Sequence, residues 1–457
     1  MTLSLETIDL VVVVASMLLT AGVGYLVRPA SVGDASFVDV ALAGRRLTMP
    51  MFVVTLVATW YGAVLSVGEF VWTHGIVVVL CFGVPYYIAA VIYGLVVAPR
   101  IRNAPSVTIP EQIGRVYGTA ASRIATGLVA IVTSPAPYLL MAAELLHAVT
   151  GWSILISMLV VSAVSIGYVV RGGLRSDVAA NIVQLVLMYG GFGLLLFFAI
   201  QRYGWVESLT QHISPSLLEV PGTIGWHGIA AWWAIALQTF VDPNIHQRAA
   251  AAASPSVARR GMLISVVLWM LFDLLTIMTA LYAVTFLDVQ RPVETHLVLA
   301  QLVLPPIAKG IFVGGLFAAI LSTLDGYAIV QGMTIGRDII DAWRGRAASV
   351  TSFRIGVLIS ALTSILLAMA IPSVIGLFMT LAGLVVPGLL IPLLLSYLTP
   401  HRLHVRGSAI RMLVPTMIVL CLYAFSLADM AASMLTALIV SVTLHGATLW
   451  RERKMSK

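Results

Sequence analysis

Thirteen apolar runs follow one another along this chain, each long enough to cross a bilayer and nearly free of charge. A helical span needs roughly 20 apolar residues. In hydrocarbon every backbone N–H and C=O must be satisfied within the chain, so runs of this length have to be helices packed on helices. They fall near 8–27, 50–71, 75–99, 122–149, 152–170, 178–201, 224–241, 261–286, 307–335, 353–371, 373–396, 410–427 and 430–449. The expected fold class is an all-α polytopic membrane protein, one transmembrane unit over 1–457 with the lipid bilayer as solvent. Composition agrees: 60% of the 457 residues are hydrophobic and only 10% charged. The net charge of +7 does not signal a nucleic-acid partner, because the basic residues stand singly between the runs. Cys81 and Cys421 both lie in apolar runs, so no disulfide or metal framework is implied. Before the first run stand Glu6 and Asp9 instead of a basic segment, so it reads as a retained span and not a cleaved signal.

The placement of positive charge fixes an expected orientation. Of 26 lysines and arginines, only Arg202, Arg291 and Lys309 fall in one set of alternate linkers; the rest occupy the other. The N-terminus is therefore expected outside and the C-terminus in the cytoplasm. The linker 202–223, with Ser214-Pro215 and Pro221-Gly222, lies near the middle of the series. It separates two sets of five spans, 50–202 and 224–396, flanked by one extra helix at 8–27 and two at 410–449. Five is odd, so the second set enters from the opposite face, as an inverted repeat requires.

Two spans carry polarity at membrane depth. Gly315-Leu-Phe-Ala-Ala-Ile-Leu-Ser-Thr-Leu-Asp-Gly326 places Ala319, Ser322 and Thr323 at i, i+3 and i+4 on one helix face, with Asp325 close by. Such groups cost insertion energy, about 2.5–3.5 kcal/mol for a central Asp, and mark function by default. Oxygens beside small residues suit a hard cation such as Na⁺; the competing reading is hydroxyls bonded back to their own helix. The span at 50–71 contains Gly62, Ser66 and Gly68, which weaken helix propensity in mid-membrane. They mark either a break that frees carbonyls or a close helix crossing.

Around these spans the chain resembles the sodium:solute symporter family, which has the LeuT-type inverted-repeat fold, over roughly residues 37–396. The marks stand in the family's order: Ala43-Gly-Arg-Arg-Leu47, Leu56-Val-Ala-Thr-Trp-Tyr61, Thr73-His-Gly75, Ala98-Pro-Arg100, Thr108-Ile-Pro-Glu111, Gly172-Gly-Leu-Arg175 with Gln184, Asp242-Pro243 with Gln247-Arg248, Ala258-Arg-Arg-Gly261, and Ala318-Ala-Ile-Leu-Ser-Thr-Leu-Asp325 with Arg337-Asp338.

The resemblance implies a sodium site made of the carbonyls of Ala58, Tyr61 and Ala319 and the hydroxyls of Ser322 and Thr323. It implies a substrate pocket at the break, with Trp60, Gly62, Tyr86, Tyr87 and Gln238 as candidates; plain packing is the alternative for the two tyrosines. An acid that supports a second sodium in some relatives is replaced here by Asn181, with Asp177 one turn away, so one sodium per solute is expected. The positions that contact sugars in some relatives are matched by Leu65 and Gly83. A small amino acid, a monocarboxylate or a similar compact solute is expected, with sugars disfavoured. Asp325 either tunes the sodium site or pairs with an arginine. Asp273, Glu144 and Glu69 are unexplained intramembrane acids, Asp273 being the candidate for protonation. Asp242-Pro243 reads as a gate or helix-end device.

The expectation is a sodium-coupled symporter of a bacterial cytoplasmic membrane that imports a small organic solute by alternating access, with Na⁺ as coupling ion and no organic cofactor. The alternatives are a proton-coupled symporter using Asp325 or Asp273, and a solute sensor acting through a partner. No catalytic motif supports an enzyme.

Overall fold

The computed structural model describes residues 4–27, 37–399 and 407–455. Arg28, Arg402, Arg406 and Lys457, part of the charge asymmetry, lie outside the described residues. The principal helices are α1 (Thr7–Leu26), α2 (Met49–Ala58), α3 (Val64–His74), α4 (Val79–Asn103), α5 (Ile109–Tyr117), α6 (Thr119–Val132), α7 (Ala136–Thr150), α8 (Ile154–Gly172), α9 (Leu174–Tyr203), α10 (Gly225–Ala236), α11 (Pro243–Ala251), α12 (Pro255–Phe286), α13 (Thr295–Val303), α14 (Ala308–Asp341), α15 (Val350–Ala370), α16 (Val374–Leu398), α17 (Ser408–Ala424) and α18 (Met430–Met455). Among the described residues ten helical stretches are long and apolar enough to cross a membrane, and no strand forms beyond one isolated bridge. The expected count of thirteen is thus not reproduced by length alone. The span at 50–71 is two short helices, and those at 224–241 and 410–427 are short. The span at 122–149 is also divided, at Thr133–Pro135.

Local signals set many of the ends. Thr108, Ser153, Ser254, Ser349 and Ser373 accept an N–H of the first turn of α5, α8, α12, α15 and α16. Gly173 turns the chain between α8 and α9 with φ 56°, and a Cβ there would lie 2.3 Å from the Val40 carbonyl oxygen. Glycine alone meets both demands.

The centre of the bundle is α14. Its most apolar stretch is wholly buried, whereas only 28% of that of α1 is. Polar groups on α14 therefore face protein and not lipid. Helices α1 and α9 press on it through small residues: a Cβ on Gly310 would lie 2.8 Å from the Asp9 carbonyl oxygen, and one on Gly315 2.5 Å from that of Leu187. The buried Asp9 carboxylate accepts the N–H groups of Ile307 (2.8 Å) and Gly310 (3.2 Å), capping α14 from a neighbouring helix. Gly332 and Gly336 face Gly356 on α15 in a small-xxx-small crossing, where a Cβ on Gly336 would lie 2.4 Å from the Ser352 carbonyl oxygen.

A methyl at Gly336 has rigid backbone to displace, whereas Gly190 on α9 has nothing within 4 Å. Gly336→Ala is expected to cost about 1–3 kcal/mol, read as a lower thermal unfolding midpoint of the detergent-purified protein. Gly190→Ala is expected to hold or raise that midpoint, by up to about 1 kcal/mol. Equal midpoints for the two would show that the α14–α15 crossing is not this tight.

Candidate functional site

Two helices break at the centre of the bundle. The first runs as α2, stops at Ala58 and resumes as α3 at Val64. The break therefore covers 59–63, and Ser66 and Gly68 lie inside regular helix instead of in it. The second break lies between α10, with a short 3₁₀ extension over Leu237–Phe240, and α11. Asp242 caps α11 through one carboxylate oxygen, which accepts the N–H groups of Asn244 (2.8 Å) and Ile245 (3.1 Å). The expected span at 224–241 is thus only half of a broken helix. Its second half, Pro243–Ala251, is buried along its whole length.

The first break meets the hydroxyl face of α14. Ser322 donates to the Ala58 carbonyl at 2.6 Å and is 2.9 Å from that of Ala319; Thr323 donates to Ala319 at 3.2 Å. All four residues are buried. The Tyr61 carbonyl accepts Val64 N–H at 3.1 Å, and the Tyr61 hydroxyl donates to Trp269. A Cβ on Gly62 would stand 2.6 Å from Thr323 Cβ and 2.4 Å from the Tyr138 ring. Glycine here makes room for α14 against the break. The sequence-derived oxygens of Ala58, Ala319, Ser322 and Thr323 are thus brought together, every one uncharged.

Both breaks also line a cavity of about 160 Å³. Trp60, Tyr86 and Gln238 lie in its wall; Gly62 and Tyr87, expected there, do not. Gly62 is covered by Tyr138, and Tyr87 turns away to donate its hydroxyl to Asp273. Asp242, Asn244, Tyr138 and Tyr327 line the cavity and were not foreseen as doing so. Tyr327 was within reach of the sequence, since it stands four residues after Thr323 on the same helix face. Its hydroxyl donates to Asp242.

Two of the remaining acids have buried partners. Asp325 accepts the hydroxyls of Ser165 and Tyr168 and not an arginine. Asp177 pairs with Arg248 at 2.8 Å, both fully buried. Thr55 joins this pair, receiving Asn181 Nδ2 at 2.7 Å and Arg248 Nε at 3.2 Å. Glu69 and Glu144 are half-buried.

Contacts also cross the arginine-rich end. Leu47 bridges Ala252 through two backbone hydrogen bonds, to Ala251 (3.1 Å) and from Ala253 (2.8 Å). Arg45 donates to the carbonyls of Ala104 (3.0 Å) and Ser106 (2.9 Å), and Arg337 pairs with Glu111 at 2.6 Å. Beside that pair, three donors hold the Glu111 carboxyl below its usual range: burial pushes it up, but Val107 N–H, Arg115 and Arg337 outweigh it.

The sequence model of the sodium:solute symporter family matches residues 41–414. The chain belongs to the sodium:solute symporter family. Membership makes it an integral membrane protein and places it among transporters and not enzymes. Curated relatives include the high-affinity proline transporter PutP of Bacillus subtilis, 23% identical over 56% of this chain and 58% of that one. The sodium/pantothenate symporter of Haemophilus influenzae is 28% identical over 42% and 41%. Sodium/glucose cotransporter 4 of Danio rerio is 25% identical over 37% and 30%. These matches span about a third to three-fifths of the relatives' lengths. Among solved structures, a Na⁺-coupled sialic acid symporter in a substrate-bound outward-open state superposes with TM-score 0.82 over 98% of both chains at 13% identity. The nucleobase-cation-symport transporter Mhp1 superposes at 0.60 over 91% of this chain and 95% of that one, at 14% identity. The shared fold is the LeuT-type five-plus-five inverted repeat. The expectation that sugars are disfavoured finds no support, since sodium/glucose cotransporters stand among the relatives. It is withdrawn.

Gly62 tests the geometry of the family's first broken helix in this chain. Gly62→Ala forces a methyl onto Thr323 Cβ, which cannot move without α14. Sodium-dependent stabilisation of the purified protein is expected to weaken by about tenfold or more in half-maximal concentration, one such factor being about 1.4 kcal/mol. An unchanged sodium response would separate the break from the ion.

Proposed function

We propose that the protein is a sodium-coupled symporter that carries a small organic solute across a bacterial cytoplasmic membrane. The observation that carries this reading is the Ser322 hydroxyl 2.6 Å from the Ala58 carbonyl. It joins a carbonyl released by one broken helix to the hydroxyl face of α14. With Tyr61, Ala319 and Thr323 these groups form a five-oxygen set with no charge, suited to a desolvated Na⁺ held reversibly. On ion entry Ser322 and Thr323 turn their protons away and offer lone pairs. Inward movement of one Na⁺ supplies about 2.3 kcal/mol per 100 mV.

The charge asymmetry supports a cytoplasmic arginine-rich end, with the N-terminus outside. The repeats 50–202 and 224–396 then form the two moving halves. Opening to the cytoplasm requires parting Leu47 from Ala252 and the Arg337–Glu111 pair. Asp177, held by Arg248, is not free to serve a second sodium, which supports one ion per solute.

The test is uptake into proteoliposomes under imposed Na⁺ or H⁺ gradients over a panel of solutes. Flux driven by Na⁺ is expected, with Ser322→Ala and Thr323→Ala each raising the sodium concentration for half-maximal uptake by about tenfold or more. Flux that follows the pH gradient and ignores Na⁺ would transfer the reading to proton coupling.

A further inference from the structure

We propose that the solute is an organic cation, a small ammonium compound whose charged centre sits between the Asp242 carboxylate and the aromatic wall of the central cavity. The proposal rests on the transport reading and names its substrate class. Asp242 is the one acidic or basic side chain among the cavity's lining residues. Arg248, close behind, is spent on Asp177 at 2.8 Å, and both are fully buried. A carboxylate solute would meet an anion here and no cation.

The cap on α11 does not account for the charge at Asp242. Asn, Ser or Thr cap a helix comparably, without placing an ion at membrane depth. The carboxylate also keeps accepting capacity. It has about four lone-pair sites, and its donors are two N–H groups and the Tyr327 hydroxyl. The sodium-site residues Ala58, Tyr61, Ala319, Ser322 and Thr323 do not line the cavity, so an ion held there would not touch its contents. The rest of the wall suits a cation. Trp60, Tyr86, Tyr138, Trp232 and Phe378 surround the space, and aromatic faces attract ammonium groups. Trp60 is held by stacking on Trp269, with centroids 4.3 Å apart, and by the Tyr86 edge at 5.7 Å. A volume of about 160 Å³ admits roughly ten water-sized heavy atoms.

The experiment measures the thermal unfolding midpoint of the purified full chain against n-butylammonium, n-butanol and butyrate, three four-carbon probes of similar size that are cationic, neutral and anionic. Tetramethylammonium is the fourth probe. Each is titrated in Na⁺ and in K⁺ buffer of equal ionic strength. The ammonium probes are expected to act at concentrations about tenfold below the alcohol and the carboxylate. Asp242→Asn, which keeps a capping side chain, is expected to abolish that preference. Tyr327→Phe removes one donor from the carboxylate and is expected to tighten the ammonium probes, so the proposal stays open to test even where Asp242→Asn fails to fold. Butyrate or butanol acting as well as the ammoniums overturns it. So does the absence of any ammonium effect, a preference that survives Asp242→Asn, or weaker ammonium binding in Tyr327→Phe. An ammonium preference equal in Na⁺ and K⁺ upholds the substrate class and sinks sodium coupling. A sodium-dependent midpoint without ammonium preference does the reverse.

Discussion

A helix that stops in the middle of a membrane leaves carbonyls that lipid cannot satisfy. At Ala58 that debt falls on α14, and much of the bundle's architecture follows from it. The Ser322 hydroxyl reaches the Ala58 carbonyl only because α14 lies against the break. That approach needs Gly62, whose missing side chain leaves room for Thr323 and Tyr138. Keeping α14 in the centre needs close neighbours on its other sides. These are α9, which meets Gly315 through the backbone at Leu187, and α1, which meets Gly310 through the backbone at Asp9. The extra N-terminal helix is therefore part of the core packing and also supplies the carboxylate that caps α14.

The second break is held by charge. Asp177 and Arg248 are fully buried, and a buried ion pair is poor evidence of net stability because desolvation offsets attraction. Removing one partner is costly, about 3–5 kcal/mol, since the other is left uncompensated. Its value here is geometric. Arg248 sits on α11, Asp177 and Asn181 on α9, and Thr55 on α2. The cluster thus ties the two half-helices α2 and α11 to one scaffold helix. The Leu47–Ala252 bridge joins the same two chain segments at the arginine-rich end.

How much of this was legible in the sequence depended on whether the cause was local. Long apolar runs declare themselves, and so does a Ser-Thr pair on an i, i+3, i+4 face of a span. The breaks were legible as regions but not as positions. Gly62 and Gly68 have the same propensity, yet the first lies in the break, packed against Thr323, and the second inside α3. The helix α11 was missed because its sequence, Pro-Asn-Ile-His-Gln-Arg-Ala-Ala-Ala, is polar enough to resemble a loop. It is buried by neighbours distant in sequence. Tyr86 and Tyr87 are adjacent and alike, yet one lines the cavity and the other serves Asp273, a partner 186 residues away. Asp325 was read by its charge, when its environment is two hydroxyls from α8.

The proposed ion and solute sites share one short piece of chain. Ala58 offers its carbonyl on the α14 side of the break, while Thr59, Trp60 and Ala63 face the cavity. A five-residue segment that lines both sites cannot change shape for one ligand without changing it for the other. An ion that draws Ala58, Tyr61 and α14 together fixes the direction of Trp60, whose ring stacks on Trp269, whose carbonyl in turn holds the Tyr61 hydroxyl. In this arrangement the coupling is a shared segment, not a relay through the bundle, and its reciprocity is a matter of linkage. Solute that orders Trp60 must raise the affinity for sodium by the same factor that sodium raises the affinity for solute.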